Sequence, residues 1–205
     1  MHIAILTFEG FNELDSFIAL GILRRVRRPG WRVSIAGPAP RVRSMNGVVV
    51  EAQAGLHDAA RADAVLVGSG VRTREVVADR GLMEQLAFDP GRQLLGGQCS
   101  GALVLAKLGL LAGVPACTDL TTRPWVEDAG VPVLDRPFLA RGNVATAGGC
   151  LASQYLAAWT IARLVGTEAA ADALRYVAPV GEKEEYVARA LGHIGRPWAQ
   201  EPAMA

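Results

Sequence analysis

Short apolar runs alternate along this chain with longer segments in which apolar residues recur at three- and four-residue intervals. The runs at residues 2–8, 31–38 and 64–67 are too short for helices and predict buried strands. Residues 14–28 and 73–88 have helical spacing instead. Strands that alternate with helices imply right-handed crossover connections, so we predict a parallel sheet with helices on both faces.

The same alternation continues through the second half of the chain. A buried strand is predicted at residues 94–98, followed by a helix that runs to Gly113. The other predicted elements are a hairpin at 42–51, a helix through Asp128, a strand near 131–133, strands within 138–146, an apolar helix at 151–165 and a helical tail at 167–194. This pattern predicts one domain spanning residues 1–205, with a frayed tail from about residue 195.

Residues 94–106 combine an apolar strand, a turn of small residues and an amphipathic helix start around Cys99. This order is typical of a nucleophile elbow, here with sulfur in place of the usual serine oxygen. Free N–H groups and the positive end of the helix dipole favour a thiolate, which predicts a lowered pKa for the Cys99 thiol. A buried structural cysteine is the alternative, and Cys99 alone does not decide between the two.

Three loops are expected to meet at this cysteine. They are residues 9–15, 68–72 and 97–101, and each follows a strand predicted to lie in the parallel sheet. Parallel α/β sheets bind ligands beyond the carboxyl ends of their strands. The predicted convergence of the loops therefore makes Cys99 a candidate site residue.

Composition narrows the classes of function. The formal net charge is +1 with acidic and basic residues interspersed, which predicts no nucleic-acid or lipid-surface partner. No window approaches the ~18 apolar residues of a membrane span, and the first residues follow a strand pattern and not that of a signal peptide. The three cysteines lack the spacing of a disulfide framework or a zinc site. We therefore expect a cytoplasmic protein with no membrane segment, no metal and no cofactor.

The residues near the elbow offer Glu9, Glu13, Asp15 and Arg72 as titratable candidates for a partner of Cys99. A catalytic cysteine commonly uses a histidine base, but His2, His57 and His193 do not follow strands that point at the elbow. Asp15 lies in the first turn of a helix with apolar neighbours, in a position from which it can face the sulfur. Capping of that helix is the competing role for Asp15. Burial beside a thiolate would raise the pKa of Asp15 and let it carry a proton.

Four separated segments of this chain carry a family resemblance. They are FNELD at 11–15, QCSGALVLA at 98–106, GLLAG at 109–113 and NVATAGG at 143–149. The chain resembles the ThiJ/PfpI family of the class I glutamine amidotransferase-like superfamily, over nearly all residues up to about Ile161. The resemblance implies an α/β three-layer sandwich with a mostly parallel, flavodoxin-like sheet and a cysteine nucleophile elbow. It also implies that Asp15 contacts the elbow cysteine.

Two positions look most like those of isonitrile hydratases, which convert an isocyanide to an N-formamide. Asp15 stands where the family's peptidases and deglycase-like members usually have glutamate, and the hydroxyl residue Ser100 follows the cysteine directly. The family often has histidine at the positions of Ser100 and Arg123, and its absence argues against peptidase or amidotransferase chemistry. Residues 67–70, Val-Gly-Ser-Gly, stand where Pro-Gly-Gly is usual, although Gly70 still offers its backbone N–H.

The resulting hypothesis is an isonitrile hydratase-like lyase acting on a small-molecule substrate. Cys99 attacks the isocyanide carbon, Asp15 delivers a proton to it, and water releases the formamide from a thioimidate. The N–H groups of Gly70 and Ser100 are expected to hold the developing charge. The alternative is a family member in which Cys99 senses oxidants or small molecules through a sulfenic or sulfinic acid. The resemblance further implies a homodimer.

Overall fold

The computed structural model describes residues 1–195. The strands are β1 (His2–Leu6), β2 (Arg32–Ala36), β3 (Arg41–Arg43), β4 (Val49–Glu51), β5 (Ala64–Val67), β6 (Leu94–Gln98), β7 (Phe138–Arg141) and β8 (Val144–Ala147). The α-helices are α1 (Glu13–Leu23), α2 (Leu56–Ala60), α3 (Thr73–Ala78), α4 (Arg80–Glu84), α5 (Gly101–Lys107), α6 (Arg123–Asp128), α7 (Ser153–Leu164), α8 (Thr167–Val177) and α9 (Lys183–Ile194). A 3₁₀ helix, Cys150–Ala152, precedes α7.

Six of the strands form one sheet in the order β2-β1-β5-β6-β8-β7. Neighbouring strands run parallel from β2 through β8, and β7 pairs antiparallel with β8 at the edge. β3 and β4 form a separate antiparallel hairpin. β5 and β6 are buried along their whole length, as expected for parallel strands covered on both faces. The predicted α/β fold with a mostly parallel, flavodoxin-like sheet is confirmed.

Each face of the sheet has its own apolar core. Ile3 and Ile5 contribute to the core under α1, α7, α8 and α9, whereas Ala4 and Leu6 contribute to the core under α2, α3, α5 and α6. Successive side chains of a strand point to opposite faces, so a continuous apolar strand supplies both cores. This arrangement leaves the carboxyl ends of the strands as the place where loops from both layers meet.

Two predicted helices are shorter than their apolar spacing indicates. The helix predicted over 73–88 is interrupted at Asp79, whose backbone is extended and whose carboxylate accepts the N–H of Leu82 at 3.0 Å. Asp79 therefore ends α3 and caps α4. The helix predicted to reach Gly113 ends at Lys107, because Gly109 takes the left-handed conformation (φ 75°) common after a helix end.

The first helix is also shorter than predicted. Residues 14–28 were expected to be helical up to the arginine run, but α1 ends at Leu23. Arg24 is the C-cap residue, and its guanidinium donates to the carbonyl oxygen of Val33 at 3.1 Å. The strand predicted at 131–133 is reduced to an isolated bridge between Val133 and Ala116. The short helix α2 was not predicted.

The frayed tail predicted from about residue 195 lies, beyond Gly195, outside the described residues. Within residues 1–195 no helix combines the length and the apolar character needed to cross a membrane.

The junction between β6 and α5 depends on Gly101. A Cβ atom there would lie 2.2 Å from the carbonyl oxygen of Val67, the last residue of the neighbouring strand β5. The first turn of α5 therefore sits directly against the end of β5. This contact brings the loop after β5 next to the turn after β6.

We predict that Gly101→Ala lowers the free energy of unfolding by about 2 kcal/mol or more, because the new methyl group meets backbone that cannot move aside. Urea denaturation measures the change. The matched control is Gly21→Ala in α1, where a Cβ meets no atom within 4 Å. That variant should be neutral or more stable by up to about 1 kcal/mol. Equal effects of the two substitutions would contradict the assignment of Gly101 as a packing glycine.

Candidate active site

Cys99 occupies the turn between β6 and α5 in a strained backbone conformation. Its φ is 46°, and it is the only non-glycine residue with a positive φ within residues 1–195. Its N–H donates to the carbonyl oxygen of Ala147 at 2.8 Å, and its own carbonyl oxygen accepts the hydroxyl of Thr118 at 2.8 Å. Both sides of the strained residue are thus fixed, which is what keeps such a conformation populated.

The Cys99 thiol lies in a largely dry environment. The residue is 4% exposed, and the Gln98 side-chain amide donates to Sγ at 3.2 Å. Burial raises the pKa of Cys99 well above its usual range, and the negative charge of Asp15 raises it further. The predicted lowering of the thiol pKa is therefore wrong. Loss of hydration and repulsion by a carboxylate outweigh the one amide donor.

Asp15 is fully buried in the first turn of α1. Its Oδ2 accepts the hydroxyl of Ser69 at 2.5 Å, and its Oδ1 accepts the hydroxyl of Ser16 at 3.3 Å. Burial raises the pKa of Asp15 to about 6, although the two serine hydroxyls act in the opposite direction. The N-cap of α1 is instead Asn12, whose Oδ1 accepts the N–H of Leu14 at 3.1 Å. The capping alternative for Asp15 is therefore wrong.

Cys150 joins Cys99 and Asp15 at the site. One carboxylate oxygen of Asp15 and the Sγ atoms of both cysteines lie within 4.8 Å of one another. Cys150 Sγ accepts the side-chain amide of Asn12 at 3.2 Å. Sequence reasoning did not single out Cys150. Its position three residues after β8, the sheet neighbour of β6, was the available signal. Cys117 is not part of this cluster.

Two thiolates and a carboxylate suit a thiophilic ion such as Zn²⁺, so these three residues are the described candidates for a metal site. The sequence predicted no metal, from the spacing of the cysteines. Each of the three groups already accepts a hydrogen bond from a protein side chain. Asn12 and Gln98 donate to the sulfurs, and two serines donate to the carboxylate. The cluster is therefore held together by protein donors.

The structure places Gly70 and Ser100 together in the wall of the cavity described below. The N–H of Gly70 donates to Ser100 Oγ at 3.0 Å, so it is not directed at Cys99 as a free donor. Ser100 Oγ also lies 2.8 Å from Thr73 Oγ1. Ser69 and Ser16 orient Asp15. Sequence reasoning missed Ser69, although the substitution within residues 67–70 had marked this loop as unusual.

A cavity of about 410 Å³ opens above the sulfurs. Its wall consists of Asn12, Met45, Ser69, Gly70, Val71, Cys99, Ser100, Asp119, Thr121, Thr122, Trp125, Gly149 and Cys150. These residues come from the loops after β1, β5 and β6, from the β3-β4 hairpin, from α6 and the segment before it, and from the segment before α7. The predicted convergence of three loops on Cys99 is confirmed, and three further segments complete the wall.

The histidines lie away from this cavity, and none of the three is among its lining residues. His2 bonds Ser34 Oγ at 2.6 Å at the amino end of β1, and the His193 ring lies 4.8 Å from the Tyr155 ring at an interplanar angle of 49°. The two arginines that flank the predicted site form ion pairs within their own helical segments, Arg72 with Glu75 and Arg123 with Glu127. The titratable neighbours of Cys99 at the cavity therefore include the carboxyl group of Asp15 and the thiol of Cys150, and not a histidine.

A cysteine at a strained strand-to-helix turn on a parallel α/β sheet, paired with a buried carboxyl group, defines a class of cysteine-elbow proteins. The model of the DJ-1/PfpI family matches residues 1–162. The chain belongs to the DJ-1/PfpI family.

Solved structures with the same fold include a ThiJ/PfpI family protein from Pseudomonas syringae, with a TM-score of 0.76 and 19% identity over 95% of this chain and 90% of that one. Schizosaccharomyces pombe DJ-1 has a TM-score of 0.75 and 15% identity over 87% of this chain and 100% of its own. Oxidised Toxoplasma gondii DJ-1 has a TM-score of 0.72 and 18% identity over 86% of this chain and 97% of its own. At these identities the likeness shows the fold alone. No curated protein matches the chain.

We predict that Ser69→Ala raises the pKa of Asp15 further. The variant removes a donor to the charged carboxylate, and a hydrogen bond to a charged group is worth about 1.5 to 3 kcal/mol. Carbon-13 NMR of labelled aspartate carboxyls follows the titration. The control is Ser34→Ala, because Ser34 is also buried but bonds His2 instead. An unchanged Asp15 midpoint in Ser69→Ala would refute the assigned role of Ser69.

Proposed function

We propose that this protein is an isonitrile hydratase-like lyase that adds water to an isocyanide and produces an N-formamide. The observation that carries the proposal is the pairing of Cys99 with the fully buried Asp15, whose carboxyl has a pKa of about 6. An isocyanide needs one nucleophile and one group that moves a proton to the same carbon. A site whose proton carrier is a carboxyl group meets that requirement.

The first step transfers one proton and forms one bond. At neutral pH the raised pKa of Cys99 keeps the thiol protonated, and Asp15 is mostly ionised. Asp15 accepts the thiol proton as sulfur attacks the terminal carbon of R–N≡C, and it then delivers that proton to the same carbon. The product is a thioimidate, R–N=CH–S–Cys99. A carboxyl pKa near the working pH suits a group that must both accept and donate a proton.

The second step consumes water and regenerates the thiol. Asp15, again ionised, takes a proton from a water molecule that attacks the thioimidate carbon. Asp15 passes this proton to the nitrogen, which gives a tetrahedral adduct. The C–S bond then breaks as the hydroxyl of the adduct becomes the carbonyl group, and the hydroxyl proton passes through Asp15 to the sulfur. The products are R–NH–CHO and free Cys99. No atom or electron from another reactant is needed, so the cycle closes with substrate, water and these two side chains.

The cavity is consistent with a small, uncharged substrate. Its volume of about 410 Å³ accommodates a short alkyl or aryl group, and Met45, Val71 and Trp125 supply apolar contact. The ionised form of Asp15 places negative charge next to the sulfur, which disfavours anionic substrates. Isocyanides are neutral and compact, in agreement with both properties.

A panel of alkyl and aryl isocyanides tests the proposal directly. We predict formamide production by the wild-type protein, loss of turnover in Cys99→Ala, and a decrease of roughly a hundredfold or more in Asp15→Asn, because general acid–base groups contribute factors of this size. Proton NMR of the formyl group measures the product. Cys117→Ala is the matched control, since Cys117 is a buried thiol outside the cluster. The proposal would be overturned if the wild-type protein produced no more formamide than Cys99→Ala.

The pH dependence provides a second test. Asp15 must be ionised to accept the thiol proton, so kcat/KM should fall about tenfold per pH unit below the pKa of about 6 and should level off above it. The raised pKa of Cys99 predicts no further inflection near neutral pH. The acidic limb should disappear from the residual activity of Asp15→Asn. If kcat/KM of Asp15→Asn falls at acidic pH in the same way as that of the wild type, Asp15 is not the proton carrier.

A second candidate function is sensing of oxidants or small molecules by Cys99. Two hydrogen-bonded sulfurs in one cavity favour it, and one of the structural neighbours is an oxidised DJ-1. Selective oxidation of Cys99 by mild peroxide without any isocyanide turnover would favour this candidate over the lyase. For either function we propose that the protein forms a homodimer. The proposed ligand of the site is a small molecule.

A further inference from the structure

Cys150 is a thiol at the candidate active site that the hydration steps do not use. Its Sγ lies within 4.8 Å of Cys99 Sγ, and both residues line the same cavity. We propose that Cys150 is a resolving thiol, so that oxidation of Cys99 by a peroxide ends in a Cys99–Cys150 disulfide. This proposal goes beyond the lyase activity and does not depend on it.

The topology places the two thiols on neighbouring strand ends. β6 and β8 pair in parallel with Gln98 opposite Ala147, so Cys99 follows one strand by one residue and Cys150 follows the other by three. A disulfide requires the sulfurs to approach to about 2 Å. The sulfurs must therefore close a gap of at most about 3 Å.

Both sulfurs already have amide donors. Gln98 Nε2 donates to Cys99 Sγ and Asn12 Nδ2 donates to Cys150 Sγ, each at 3.2 Å. Such donors stabilise the negative charge that develops on an attacking or leaving sulfur. Gln98 Nε2 also donates to the carbonyl oxygen of Gly149 at 2.9 Å, which ties the turn at Cys99 to the turn that carries Cys150. The two thiols are thus held in one hydrogen-bonded unit.

The oxidation is balanced with a peroxide as the only co-reactant. Asp15 accepts the proton of the Cys99 thiol as its sulfur attacks one oxygen of H₂O₂. An S–O bond forms, the O–O bond breaks, and the hydroxide that leaves takes that proton from Asp15 and becomes water. Cys150 thiolate then attacks the sulfur of the sulfenic acid, an S–S bond forms and the S–O bond breaks. Asp15 is close enough to supply the proton that converts the second leaving hydroxide to water. Two thiols and one peroxide therefore give one disulfide and two waters.

Formation of this bond would protect Cys99. A sulfenic acid without a resolving thiol is oxidised further to a sulfinic acid, which ordinary thiols do not reduce. The disulfide is reduced by thiol exchange, which restores both groups. Cys150 would thus make the oxidation of the site reversible.

The test treats the full-length protein with a small excess of H₂O₂ and maps the cysteines by mass spectrometry after digestion, with and without dithiothreitol. Wild type should give a Cys99–Cys150 cross-linked peptide, with an intact mass about 2 Da lower, and dithiothreitol should restore both thiols. Cys150→Ala should instead gain about 32 Da at Cys99 as sulfinic acid, with on the order of tenfold less recoverable thiol. Cys117→Ala, which also removes one sulfur, should behave like wild type.

Peptide mapping of the wild type decides the question even if a variant fails to fold. Sulfinic acid at Cys99 with Cys150 still free would overturn the proposal, and so would two unoxidised thiols. The readout is a covalent bond and not turnover. A protein that forms the disulfide but leaves isocyanides unchanged would therefore refute the lyase and retain the resolving thiol.

Discussion

The contact between the first turn of α5 and the carbonyl oxygen of Val67 constrains the whole site. Because Gly101 lets helix and strand backbones meet, the chain must reverse direction within a very short turn, and Cys99 takes a positive φ there. Hydrogen bonds from neighbouring segments hold that conformation on both sides. The position of the sulfur is therefore fixed by the sheet and not by the thiol's own interactions, which leaves the thiol free for chemistry.

Burial acts on the two acids of the site in the same direction. It raises the pKa of Cys99 and of Asp15, and each negative charge would repel the other. The pair therefore carries a single charge near neutral pH and has one proton to share. Serine hydroxyls on Asp15 and an amide on Cys99 influence which group holds that proton. Such a balance favours reactions in which a proton leaves sulfur and arrives on a neighbouring atom of the substrate.

The parts of this structure that follow from short-range pattern were predictable. Continuous apolar runs marked the strands, and the small-residue turn marked Cys99. The position of Asp15 in the first turn of α1 made it only a candidate partner, and the family resemblance implied its contact with Cys99. The break between α3 and α4 at Asp79 could not be predicted from the helical spacing of apolar residues, because it depends on a hydrogen bond made by a single side chain. The proximity of Cys150 and the raised pKa of the thiol depend on which strands become neighbours and on how dry their ends are. Neither the proximity of Cys150 nor the raised pKa of the thiol can be predicted from the spacing of residues along the chain.

Asn12 illustrates how tightly one residue can be specified by two neighbours. Its Oδ1 caps α1, and its Nδ2 donates to Cys150 Sγ. At most helix starts asparagine and aspartate are exchangeable during evolution, because either oxygen caps the helix. Here aspartate would keep the cap but would lose the N–H donor and place a second carboxylate near Cys150. Exchange at this position is therefore tied to the identity of residue 150, and the two positions are expected to vary together among relatives that retain this arrangement.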